Sequence, residues 1–288
     1  MLSKKLLYSA YRLSTRHLGP DGSQKVFHGT CFHVKSGERI FMITNRHNVE
    51  LSYKDEKYVG YRWDGMQVDG YCNDDDYFEF SFEGHTIHFA VPRNPAEDVF
   101  VLEVPKGPVR FRRRKKPGED PHKKTEKFDP VILGIEMLAG DEDMKRLSPG
   151  SQVLLPSYSA HYDKSSERPV MRGGIISSDP ESDYQTEGQE PARRVLYQAQ
   201  SAEGASGGPV YVLMEDEGVL LGINAGHLTG SEPKIGTIHS GFSYCFKAVC
   251  IREAIDAIIA DTAKSDVGGV TAGQIGTEPQ PNGAQGRN

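Results

Sequence analysis

The segment Glu203-Gly204-Ala205-Ser206-Gly207-Gly208-Pro209-Val210 sets one serine among three glycines. Glycine is unfavourable inside a sheet. It belongs where the backbone must turn tightly and let a ligand approach. A serine exposed on such a turn is a candidate nucleophile. The amides of Gly204 and Ser206 would converge beside its hydroxyl and hold the oxyanion formed when it attacks a carbonyl, an effect worth about 3–4 kcal/mol per donor. A plain glycine-rich hairpin is the other reading of the same segment.

A serine at neutral pH needs a base. The apolar run Phe41–Thr44 reads as a strand, and His47 follows three residues after its end, where loops carry function. The chain has ten histidines, so this one is singled out by position and not by type. Asp98 opens a second apolar run, Val99 to Val104. A carboxylate there would be partly buried and in need of a donor. An imidazole N–H is such a donor, and the contact would fix the histidine tautomer. Glu97 competes for that role, and a surface turn aspartate is the plainer alternative. The chain order His47, Asp98, Ser206 is that of the chymotrypsin-type triad.

The elements that would position these residues are mostly strands. From about residue 25 to 104, short runs rich in Val, Ile, Phe and Thr alternate with turn residues. Residues 105–130 are charged and Pro-rich, and read as a linker loop carrying the basic run Arg112 to Lys116; a solvated loop is favoured there over a patch for an acidic partner. Strand signals resume at 131. Ile251, Ala254, Ile255, Ile258 and Ile259 have helical spacing, which predicts one amphipathic helix over 251–260. The expected organisation is therefore an N-terminal extension (1–24), a first β unit with His47 and Asp98 (25–104), a linker (105–130), a second β unit with its closing helix and Ser206 (131–261), and a disordered tail (262–288).

On these motifs the chain resembles trypsin-like peptidases, and among them the bacterial high-temperature-requirement type. The matching pieces are GTCFHV with FMITNRHNV, then EDVFVLEV, PGSQVLLPSY, RGGIISS, GASGGPVY, LLGINAG and GFSYCF, in the family's order, over about Val26 to Ala260. The resemblance implies an all-β fold of two six-stranded antiparallel barrels with a C-terminal helix, and a triad at their interface. It implies His47 as general base, Asp98 as its orienting carboxylate, Ser206 as nucleophile, and Gly204 and Ser206 as oxyanion donors. It places Asn224, Ala225 and Gly226 on the strand that pairs with substrate, Gln200 and Ser201 on the far wall of the first specificity pocket, and Gly241 near its mouth. Three departures stand out. Asn45 and Arg46 replace the usual small residues before the histidine. Ala205 stands where digestive relatives carry an aspartate, so control by N-terminal processing is not expected. Ala225 lacks a hydroxyl that some relatives place near the triad carboxylate. The uncharged Gln200, Ser201 and Asn224 predict a neutral preferred side chain, although His227 and His239 lie nearby in sequence and would favour an acidic one.

Bulk properties agree with a substrate of protein or peptide. The chain has 288 residues, 37% of them hydrophobic, and a net charge of −6, which disfavours general nucleic-acid binding. No apolar run approaches the roughly 18 residues of a membrane span. No signal-peptide core is visible, with Arg12 and Arg16 interrupting the first 19 residues. Four sparse cysteines without a CxxC pair suggest reduced thiols and a cytoplasmic protein. Cys72 beside Asp74, Asp75 and Asp76 suits no common metal, so no metal or other cofactor is expected. Active endopeptidase is the leading reading; a catalytically silent protein- or peptide-binding module on the same scaffold is the alternative.

Overall fold

The runs Phe41–Thr44 and Val99–Glu103 are apolar at successive positions because both of their faces are covered. Phe41 and Ile43 pack into one cluster and Met42 into another; Val99 and Val101 face the first, Phe100 and Leu102 the second. A strand buried on both sides loses the simple alternation of a one-sided sheet. These relations come from a computed structural model, which describes residues 2–71, 77–83, 87–105, 112–113, 130–186, 188–215, 217–232 and 236–265.

The first β unit is a nine-stranded sheet: β1 (Tyr11–Leu18), β2 (Gln24–Ser36), β3 (Arg39–Thr44), β4 (Arg62–Tyr71), β5 (Tyr77–Glu83), β6 (Phe89–Ala90), β7 (Phe100–Glu103), β8 (Arg112–Arg113) and β9 (Leu133–Gly134). The order is β6-β7-β3-β2-β1-β4-β5-β8, with β9 added in parallel beside β2. The long strand β2 changes partner midway: residues 24–31 pair with β1 and 32–36 with β3. The second unit is a closed six-stranded antiparallel barrel of β10 (Gln152–Ser157), β11 (Val170–Ile176), β12 (Arg194–Gln198), β13 (Pro209–Met214), β14 (Glu217–Glu232) and β15 (Gly236–Lys247), in the order β10-β11-β12-β15-β14-β13. Among the described residues there are three α-helices: α1 (Leu2–Leu7), α2 (Asp141–Arg146) and α3 (Ala248–Ser265).

The all-β class, the six-stranded second barrel and the closing helix are as the sequence predicts, with α3 extending beyond 251–260 at both ends. The first unit differs. Among the described residues its strands form a nine-stranded sheet and not a closed six-stranded barrel. Residues 1–24 are also not external to it, because β1 lies between β2 and β4. Arg12 and Arg16 are the outward residues of β1, and bond Asp69 at 2.8 Å and Asp64 at 2.5 Å. Ahead of β1, Leu6 of α1 is buried in the larger core cluster with barrel residues such as Val212 and Leu220. That cluster also joins Phe32, Phe41 and Val101 of the sheet to Ile251, Ile255 and Ile258 of α3, so the two units share one core.

Arg112 and Arg113 form β8, while the rest of the basic run, most of the 105–130 linker, the Cys72–Asp76 segment and tail residues 266–288 lie outside the described residues. Cys31, Cys245 and Cys250 are free and buried. No described helix is long and apolar enough to cross a membrane.

Candidate active site

His47 sits in a single 3-10 turn, Arg46–Asn48, entered directly from the end of β3. The carboxylate of Asp98, placed just before β7, reaches this turn with both oxygens. Oδ1 accepts the His47 amide at 3.0 Å, and Oδ2 lies 2.6 Å from the ring Nδ1. The Asp98 side chain is 3% exposed and the imidazole 18%. Burial alone would push the Asp98 carboxyl up; His47 and Lys54 beside it, with the two His47 hydrogen bonds, outweigh burial and hold it far below the carboxylate range. With Nδ1 committed to a carboxylate, Nε2 is the nitrogen left to take a proton.

Asn45 and Arg46, unexpected beside the histidine, both have structural work. Asn45 is fully buried and donates from Nδ2 to the Asp98 carbonyl at 2.6 Å, pinning the backbone of the carboxylate. Arg46 turns outward to Glu50 at 2.7 Å and lies over the Tyr53 ring. Glu97, the sequence competitor of Asp98, faces the opposite way. It is buried and held by Arg193, whose Nε donates to Oε1 at 2.6 Å and Nη2 to Oε2 at 2.5 Å.

Ser206 is half-buried on the loop that precedes β13. Two glycines shape that loop. Gly207 has φ +90°, and a Cβ there would come within 2.0 Å of the Thr30 carbonyl. Gly204 has φ +82°, and a Cβ there would meet the Tyr158 carbonyl at 2.8 Å. Both values lie in the left-handed region that glycine enters without strain. The loop is fastened to the first unit: the Ser206 carbonyl accepts from the Thr30 amide at 2.9 Å and from Asn48 Nδ2 at 3.3 Å, and Thr30 Oγ1 donates to the Gly204 carbonyl at 2.7 Å. Ser206 is thus bonded to the residue following His47. The Nε2 of His47 and the Ser206 hydroxyl are not hydrogen-bonded to each other. Among the described residues, the amides of Gly204 and Ser206 donate to no protein acceptor.

Lys54 is the site residue that sequence reasoning missed. Its Nζ lies 3.0 Å from Asp98 Oδ2, the oxygen that also faces His47, and donates to the Ala225 carbonyl at 2.9 Å. Ala225 has no hydroxyl to offer the carboxylate, and the lysine supplies a donor from the other unit. A lysine seven residues beyond a histidine carries no local signal of this role.

The other predicted residues separate into structure and surface. Asn224 is buried and spends its amide internally, accepting from Tyr197 and donating to the Ala205 carbonyl at 2.9 Å. Its backbone pairs with Gly207 and Gly208, so it supports the Ser206 loop. Ala225 is buried, and its carbonyl faces Lys54. Gly226 pairs with Tyr244 across β14–β15. Gln200 is exposed, with its carbonyl bonded to Arg172. Ser201 is buried, its amide donating to Ser243 Oγ at 3.2 Å. Gly241 makes a left-handed turn at φ +92°, its amide donating to His239 at 2.8 Å.

No family model matches the sequence, and no curated protein matches it. Among solved structures, the chain is similar to the active form of the Rv3671c protease from M. tuberculosis, at 18% identity over 89% of this chain and 85% of that one, with a TM-score of 0.46. It is also similar to Deg5, at 16% identity over 90% and 93%, with a TM-score of 0.49.

Proposed function

We propose that this chain is a serine endopeptidase that cleaves protein or peptide substrates through an acyl-enzyme. The observation that carries the reading is the pairing of His47 with the buried Asp98 at 2.6 Å, next to a serine loop bonded to the same turn. Ser206 Oγ attacks the scissile carbonyl carbon while Nε2 of His47 takes the hydroxyl proton. The amides of Gly204 and Ser206 receive the negative oxygen. His47 then returns the proton to the leaving amine as the C–N bond breaks. A water repeats the sequence on the ester, releasing the acid and restoring the serine. Asp98 keeps its charge throughout and orients the ring.

Two observations favour a second reading, a silent binding module. The Ala225 carbonyl, on the strand expected to pair with substrate, is occupied by Lys54, and Nε2 is not bonded to the serine. Hydrogen bonds of this kind tighten on substrate binding, which keeps the endopeptidase reading ahead. A fluorophosphonate probe separates the two: it labels wild type at Ser206 and spares Ser206→Ala if the chain is an endopeptidase. A wild-type protein that is neither labelled nor able to cut a peptide library is the silent module.

A further inference from the structure

His227, His239 and Arg172 take no part in the chemistry above, yet they converge beside it. His227 on β14 and His239 on β15 stack with ring centroids 4.3 Å apart and planes at 19°. The Gly241 amide donates to Nδ1 of His239 at 2.8 Å. Nδ1 is therefore an acceptor, and the neutral ring carries its proton on Nε2. That Nε2 is buried. Arg172 on β11 gives one nitrogen to the Gln200 carbonyl and meets no carboxylate among the described residues. Gln200 precedes Ser201, whose amide donates to Ser243 Oγ, and Ser243 stands opposite His227 across β14–β15, which brings Arg172 to the same side as the two histidines. Burial, then His227 and Arg172, lower the His239 pKa, and the Ser201 backbone opposes them.

These residues flank the nucleophile loop. Gln200 and Ser201 run directly into it, and Ser201 is tied to β15 through Ser243. Asn224 of β14 is bonded to Gly207 and Gly208 in the loop itself. His227 lies three residues further along the same strand, about 10 Å at the usual rise. A side chain extending from a carbonyl carbon under attack by Ser206 toward β14 and β15 enters the space between Gln200–Ser201 and the two histidines.

We propose that this space is a subsite for an acidic side chain, Glu or Asp, at the residue whose carbonyl Ser206 attacks. A carboxylate would meet the Arg172 guanidinium, which faces no carboxylate among the described residues, in a charge-assisted contact. A lysine or arginine there would face like charge, and an apolar side chain would leave the guanidinium unmatched. The neutral preference expected from Gln200, Ser201 and Asn224 is thereby revised: Asn224 is buried and committed elsewhere, and the positive charge comes from β11.

The inference rests on the endopeptidase reading and is tested in two arms. In the first, wild-type protein is offered matched peptides that carry Glu, Gln, Leu or Lys at the cleaved residue. The Glu peptide is expected to show kcat/KM at least ten-fold above Gln, with Lys lowest. A Gln or Leu peptide cut as fast as Glu overturns the proposal. In the second, fluorescence anisotropy compares Ser206→Ala binding to two labelled product peptides, one ending in Glu and one in Gln. Tighter binding of the Glu peptide, with the ratio falling toward one in Arg172→Gln and His227→Gln backgrounds, supports the subsite. Equal binding, or a ratio indifferent to both substitutions, overturns it. A protein that cleaves nothing and escapes active-site labelling defeats the endopeptidase reading alone, and the binding arm still decides the subsite.

Discussion

At the scale of single residues, the candidate site is held by donors that its own motifs do not contain. Asp98 Oδ2 faces two groups, His47 at 2.6 Å and Lys54 at 3.0 Å. Removing the ammonium takes away one of the charges that keep the Asp98 carboxyl low. Lys54→Met is therefore expected to lower kcat about ten-fold, because the Asp98 carboxylate that orients His47 loses a charged partner. Lys54→Arg should retain most of the activity. A kcat comparison of the three proteins on one peptide checks this, and a Lys54→Met protein as fast as wild type would refute it. Ser206, His47 and Asp98 were legible in the sequence because each sits in a short segment with a chemical reason: glycines around a nucleophile, a strand end before a base, an apolar run after a carboxylate. Lys54 was not, since its role exists only through a contact with a residue 44 positions away, Asp98, which the fold alone brings to it. The choice between Asp98 and Glu97 was likewise open in one dimension, and is made by which neighbour each meets in space.

At the scale of elements, β1 shows how a pattern can be present and still be misread. Tyr11, Leu13, Thr15 and His17 point inward and Arg12, Ser14, Arg16 and Leu18 are half-buried, a period of two. The inward set includes a threonine and a histidine, and the outward arginines break any apolar run. Hydrophobicity alone therefore marks no strand here, although the period-two alternation is that of one. The histidine carries a measurable consequence. Burial lowers His17 on β1 to about 4 and His33 on β2 to about 3. The unfolded chain binds protons at these sites near pH 6.5. Between about pH 6.5 and those lowered values the unfolded state holds more protons, so stability rises with pH there. Their contribution is complete above about pH 6.5 and is lost as pH falls toward 4 and then 3. The thermal midpoint should fall steadily from pH 7 to pH 4.5, and His33→Phe, which stays neutral between Tyr11 and Phe80, should flatten the slope. A scanning-fluorimetry series across that range decides it; identical slopes in the two proteins would count against the account.

At the scale of the whole molecule, the carboxylate turn is braced from behind. Arg193, one residue before β12, binds the buried Glu97 through two nitrogens and Glu253 of α3 at 2.6 Å. A groove of about 860 Å³ runs along this brace, lined by Arg93, Glu97, Arg193, Arg252 and Glu253 and by neither His47 nor Ser206. Arg193→Met leaves Glu97 buried without its partner, which costs about 3–5 kcal/mol. Urea unfolding should register that loss, and a double change, Arg193→Met with Glu97→Met, should recover part of it. A recovery of nothing would show that the brace is more than a charge pair. The brace also sets an order of events. Strands β3 and β7, with His47 and Asp98, leave the ribosome in the first hundred or so residues, whereas Glu253 emerges near the end, on a helix whose Ile251, Ile255 and Ile258 close the shared core. Every part of the proposed machinery is thus synthesised before the helix that steadies it. A nascent chain stalled ahead of α3 would carry His47, Asp98 and Ser206 while their shared core still lacked its closing helix.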